Sequence, residues 1–341
     1  MNPISFKGSP GSPYTRKMLG VLRYRHIPYR MLIGTRDSDF GLPVPRVKLL
    51  PTFYLENEEG RLEAVTDSTP LIRRLEVEVE GRPVIPRSPV LRFLDELIED
   101  YADEWLTKAM FHYRWHYSED ARKAGGILPH WANISAPDKE IQKRQEEFSR
   151  RQISRLYVVG SNSVTAPVIE GSYRRFLRIL EDILCQQPFI LGHRPSSCDF
   201  AVYGQLTQLA HFDPTPSAIA LQEAPRVYAW IDLIDDLSGL DPADSGWMVP
   251  GDAKKVLSNL LQEIGRTYCP VMLADIEALD SGADTVDTHV DGAHWQQTPF
   301  PYHRKCVLWL RESHAALDAP SRTSVDDLLE GTGCDALMAG R

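Results

Sequence analysis

A serine hydroxyl stands where a short apolar strand (Ile4 to Phe6) and a Gly/Pro turn (Gly8-Ser9-Pro10-Gly11) give way to a helix opening at Pro13. Backbone N–H groups and the helix dipole at that place favour an anion, a thiolate or a carboxylate. Ser12 has two open readings: it holds such a ligand, or it caps the helix with Pro13 at the first helical position. Leu50-Pro51 precedes an apolar run, and Asp67-Ser68 heads a later helix, again offering N–H groups to an anion.

The elements that must position these groups are legible from pattern. Pro13 to about Arg25 carries an apolar face of Met18, Leu19, Val21 and Leu22, and His26-Ile27-Pro28 ends it. Tyr29–Ile33 reads as a second strand, and residues 34–48 as irregular chain rich in Gly, Pro, Asp and Arg. Thr52–Glu56 and Leu62–Val65 flank Asn57-Glu58-Glu59-Gly60, a hairpin signal. Asp67-Ser68-Thr69-Pro70 starts a helix whose apolar face is Leu71, Ile72 and Leu75.

This βαβ-then-ββα order, with Ser12-Pro13-Tyr14, Leu50-Pro51 and Asp67-Ser68 in sequence, resembles the thioredoxin-like domain of the glutathione transferases. The resemblance covers about residues 1–245 and implies two units, a thioredoxin-like glutathione-binding domain at 1–82 and an all-helical domain at 88–245; residues 250–341 exceed what a typical transferase carries and read as a helical extension with a hairpin candidate. It implies that Ser12 donates a hydrogen bond to the sulfur of glutathione. Such a donor stabilises the thiolate, the species that attacks electrophiles. It implies that Pro51 is cis and frees the Leu50 backbone to pair with the peptide-like centre of glutathione. Ser68 would receive the γ-glutamyl carboxylate, and Asp67 would lie near the α-amino group. For the glycine carboxylate the candidates are Lys48, Arg46 and Arg36, with Lys48 preferred.

Downstream, Leu91 to about Tyr117 reads as one long helix, followed by a Gly/Pro break at Gly125-Gly126 and Pro129 and a highly charged helix over 138–158. Ile169 to Gln186 repeats Phe176, Leu177, Leu180 and Leu184 at helical spacing. Ser196 and Asp199 form a capping box, which the family also carries in its helical domain. In the family the first long helix lines the electrophile pocket. That assigns Tyr101, Trp105 and His112 here, together with Tyr14, to an aromatic wall. His112 and His116 have the spacing of a metal pair, but no third ligand accompanies them, so no metal is expected.

Over residues 250–341, Lys254–Arg266 and Val271–Leu279 read as two helices and Asp291-Gly292 as a hairpin turn. Tyr302–Leu317 and Ser324–Leu329 read as helices. This extension is expected to pack on the helical domain.

Composition narrows the partners. A net charge of −9 argues against a general nucleic-acid binder. Residues 1–50 nevertheless hold nine Lys/Arg against two acids, which suits a small anionic ligand. No apolar run approaches the ~20 residues of a membrane span. Five scattered cysteines read as reduced thiols, and the first residues lack the pattern of a signal peptide, so a cytoplasmic protein is the expectation. The family habit is a homodimer. With Ser at position 12 and Cys185 the nearest cysteine in sequence, thiol–disulfide chemistry is disfavoured. Two functions remain: a glutathione transferase acting on an electrophilic small molecule, or a non-catalytic binding or scaffold protein that kept the fold.

Overall fold

A computed structural model describes residues 2–35 and 37–339. Strand β1 (Ile4–Gly8), helix α1 (Pro13–Tyr24) and β2 (Tyr29–Ile33) form a βαβ unit with β1 and β2 parallel. Strands β3 (Thr52–Glu56) and β4 (Leu62–Thr66) form the expected antiparallel hairpin, and α2 (Ser68–Glu78) follows. The sheet order is β2-β1-β3-β4, with β1 antiparallel to β3. This is a thioredoxin-like domain. Phe6 stacks on Phe53 at 4.7 Å between ring centroids, and Met18, Val21, Leu22, Leu71 and Leu75 close the core from the helix side. The described residues of 34–51 carry no helix or strand.

A largely helical region follows. Helix α3 (Pro89–Tyr101) passes through a π-helical turn at Ala102–Leu106 into α4 (Thr107–His116), so the long helix foreseen there is continuous but changes hydrogen-bond register midway. Helix α5 (Ser118–Ala132) runs straight through the Gly/Pro segment that reads as a break. Gly125 lies so close to Ser149 of α6 (Asp138–Ile153) that a side chain would collide, so that glycine serves helix packing rather than a turn. Helices α7 (Ala166–Leu184), α8 (Ser197–Leu206), α9 (Pro214–Glu223) and α10 (Pro225–Asp235) complete the region. The capping box is present, with Ser196 N–H donating to Asp199 Oδ2 at 2.9 Å.

The C-terminal extension begins with α11 (Ala253–Ser281), one 29-residue helix where two were expected. Pro270 removes one backbone donor, but Leu257, Leu260, Leu261 and Ile264 before it and Val271 and Met272 after it are all buried. Burial of so many apolar side chains outweighs one lost hydrogen bond. Strands β5 (Val286–Val290) and β6 (Ala293–Gln297) turn on Asp291 and Gly292, both at positive φ (51° and 76°), as a two-residue Asp-Gly hairpin requires. Helices α12 (Pro301–Ala315), α13 (Ala319–Leu329) and α14 (Asp335–Met338) end the described chain. Among the described residues no helix is long and apolar enough to cross a membrane.

Candidate functional site

The end of α1 is built from its own neighbourhood. Ser12 Oγ accepts the Thr15 N–H at 3.2 Å, capping the helix, and donates to the Leu50 carbonyl at 3.2 Å. The capping reading of Ser12 is thus present, and the cap holds the hydroxyl against Leu50. The Leu50–Pro51 bond is cis, and Leu50 and Ser12 are half-buried. From the helical region, Arg114 donates to the Gly11 carbonyl at 3.2 Å while its guanidinium grips Asp213 in a buried pair. A side chain at Gly11 would strike Leu128 and Trp131 of α5, so α5 lies directly over the turn before Ser12.

The end of α2 is held differently. Asp67 has φ +83°, a conformation uncommon outside glycine and asparagine, and its carboxylate does not cap α2. It points instead at the C-terminal extension, where Tyr302 O–H donates to Oδ2 at 2.7 Å and the Lys305 ammonium lies 3.4 Å away. Ser68 is buried at the first position of α2.

Beneath both ends lies a charged floor. Lys17, 1% exposed, bridges Glu99 at 2.7 Å and Asp103 at 2.5 Å, and its ammonium also reaches Thr69 Oγ1 at 3.4 Å. Thr69 Oγ1 in turn donates to Glu99 at 3.0 Å, tying the first turn of α2 to α3. Burial alone would lower the Lys17 pKa, but Asp103 and Glu99 more than reverse this and hold it raised. Burial pushes the Asp103 carboxyl up to about 7 against the pull of Lys17. Asp95 is likewise pushed up to about 7 by burial and by Glu99, while the Ser197 hydroxyl and the Cys198 N–H donate to it. Tyr14 O–H donates to the Asp103 carbonyl at 2.8 Å, docking the residue after Pro13 onto the π-helical turn.

The sequence-derived wall of the electrophile pocket lies elsewhere than expected. Tyr101 is fully buried against Phe176 and Tyr268, and Trp105 is buried against Trp295 at 5.4 Å with its indole N–H on Ser172. His112 is fully buried, one ring nitrogen 2.8 Å from Ser161 Oγ and the other 3.2 Å from Glu170, and burial lowers its pKa. All three are buried: the extension covers Tyr101 with Tyr268 and Trp105 with Trp295, and the helical region itself encloses His112 through Ser161, Glu170 and Tyr117. Of that set only half-buried Tyr14 adjoins Ser12. Lys48 is exposed and pairs with Asp37 at 3.4 Å, Arg46 is exposed, and Arg36 lies outside the described residues. His112 and His116 stack at 4.6 Å, and no group of three or more metal-ligating side chains occurs among the described residues.

Sequence reading missed Leu128, Trp131, Lys17, Tyr302 and Lys305. The floor did leave a signal: Asp95, Glu99 and Asp103 recur every four residues on one side of α3 and the turn after it, and Lys17 interrupts the apolar face of α1. Tyr302 and Lys305 left none, since their partner is more than two hundred residues away.

Residues 7–83 match the family model described as glutathione S-transferase, N-terminal domain, and this segment holds Ser12, Leu50-Pro51 and Asp67-Ser68. No curated protein matches the chain. Solved structures similar to it include a β-etherase from Sphingobium sp. strain SYK-6, at 16% identity over 71% of this chain and 97% of that one, with a TM-score of 0.49. A glutathione S-transferase from Methylobacterium radiotolerans, crystallised with glutathione sulfonate, is 17% identical over 73% of this chain and 96% of that one, with a TM-score of 0.43. A transferase-like protein from Pseudomonas syringae is 16% identical over 69% of this chain and 67% of that one, with a TM-score of 0.43.

Proposed function

We propose that the chain binds glutathione between the ends of α1 and α2 and transfers its thiolate to an electrophilic small molecule. The observation that carries this reading is the 3.2 Å contact between Ser12 Oγ and the Leu50 carbonyl, beside a cis proline. It puts a hydroxyl donor next to the backbone that would pair with a peptide-like ligand, within the segment matching the transferase domain. Ser12 turns its proton from Leu50 to the sulfur and stabilises the thiolate, while Ser68 and the uncapped first turn of α2 receive the γ-glutamyl carboxylate. Rate enhancement comes from thiolate activation and positioning. Leu128 and Trp131, beside Gly11, form the apolar side of the cleft for the electrophile.

The test is conjugation of glutathione to an activated aryl halide. A hydrogen bond to a charged group contributes about 1.5–3 kcal/mol, so Ser12→Ala should lower kcat/KM about ten- to a hundred-fold. An unchanged rate would remove Ser12 from the chemistry. The second reading, a non-catalytic binding or scaffold protein, is favoured by one observation: Asp67 is already engaged by Tyr302 and Lys305. Binding of glutathione without turnover would support it.

A further inference from the structure

We propose that Lys305 is a tethered competitor for the amino end of the ligand: α12 places a primary ammonium on Asp67, where the ammonium of glutathione's γ-glutamyl group would go. This inference rests on the glutathione reading above. The Lys305 Nζ lies 3.4 Å from Asp67 Oδ2, 4.2 Å from the centre of the Trp309 ring and 5.3 Å from that of Tyr302. A carboxylate with two aromatic rings beside it is a site for a cation. Lys305 is the cation present, and it has the same chemistry as the ligand group it would exclude.

The contact is built to open. Lys305 is 49% exposed, and a half-solvated ion pair of this kind contributes about 0.2–1 kcal/mol. Tyr302, by contrast, is anchored: it is half-buried and its hydroxyl donates to the same carboxylate oxygen at 2.7 Å. Asp67 is thus held in place by Tyr302 whether or not Lys305 is seated. A ligand ammonium displaces one flexible side chain into solvent and takes over its contact with the carboxylate. The extension, absent from the segment that matches the transferase domain, thereby sets the affinity of a site lying within that segment. Only ligands with a free amino group compete with Lys305, so the device also sets which peptide thiols it discriminates against.

Isothermal titration of the full chain tests this, using wild type, Lys305→Met and Lys305→Arg. Each is titrated with glutathione and with the same tripeptide lacking the α-amino group. Lys305→Met should bind glutathione about two- to five-fold more tightly. Its affinity for the deaminated peptide should be unchanged, and Lys305→Arg should resemble wild type. Weaker or unchanged glutathione binding by Lys305→Met, or equal tightening for both peptides, would overturn the proposal while leaving the glutathione reading intact. If neither wild type nor Lys305→Met binds either peptide, the glutathione reading falls and this inference with it.

Discussion

The N-terminal ends of α1 and α2, tied together by the contact of Lys17 with Thr69, are held by opposite means. At α1 the cap is local: Ser12 serves Thr15, three residues on, and its second partner is Leu50. At α2 the Asp67 side chain leaves its own helix uncapped and is fixed by Tyr302 and Lys305, 235 and 238 residues away. A locally built end is rigid by itself. An end finished by a distant helix can be modulated through that helix. Under the function proposed above, α1 carries the chemistry and α2 the control of ligand affinity.

The largest expected effect comes from removing what the two ends share. Lys17→Met leaves buried Asp103 without its cation and Glu99 with the more distant Arg73, 3.8 Å away, which should cost about 3–5 kcal/mol. Urea unfolding should show it as a lowered midpoint with little change in slope. A loss below 1 kcal/mol would mean that the floor does not couple the two ends.

Trp295→Ala should separate the ends. The ring is fully buried against Trp105, and truncating such a side chain costs about 3–5 kcal/mol, somewhat less where the hairpin can collapse onto the gap. The expected result is protease sensitivity confined to the extension, with the Asp67 end loosened and the Ser12 end preserved. Global unfolding with no intermediate would show that the extension and the N-terminal domain are one cooperative unit.

The floor should also make stability depend on pH. Asp95 and Asp103 are each held up to about 7, chiefly by burial, so the folded protein binds their protons more tightly than the unfolded chain does. Their contribution is complete below the unfolded value near ~4 and is lost as pH rises through about 7. Tm should fall between pH 5 and pH 8, and Asp95→Asn should flatten that slope. A wild-type Tm that rises over this interval would contradict the assignment.

The smallest effect is the cap itself. Ser12→Ala should cost about 1 kcal/mol of stability, a few degrees of Tm, against its much larger effect on conjugation. Ser12→Thr, which keeps a capping hydroxyl, should restore most of the Tm. A large stability loss with unchanged chemistry would reverse the roles given to the two ends.

Much of this was legible from residue order. The strand and helix sequence of residues 4–78, the Asp291-Gly292 hairpin and the capping box at Ser196 follow from local preference, because each depends on neighbours a few positions apart. Local signals misled where packing outweighed them. Gly125 and Pro129 sit inside α5, and Pro270 sits inside α11, since close approach or apolar burial exceeds the cost of one glycine or proline. The aromatic pattern of Tyr101, Trp105 and His112 was visible, but which surface would cover it was not.

By itself the sequence determined the local elements that carry Ser12, Leu50-Pro51 and Ser68: the capped start of α1, the entry to β3 and the first position of α2, while the cis form of Pro51 came only from the family resemblance. Short-range hydrogen bonding and strand pairing place them with little help from the rest of the chain. Only the tertiary structure decided what surrounds them: Leu128 and Trp131 over Gly11, Lys17 beneath, and Tyr302 and Lys305 on Asp67. Those contacts arise from burying one helix face against another across hundreds of residues. Hydrophobic burial is non-directional, so residue order does not specify which faces meet.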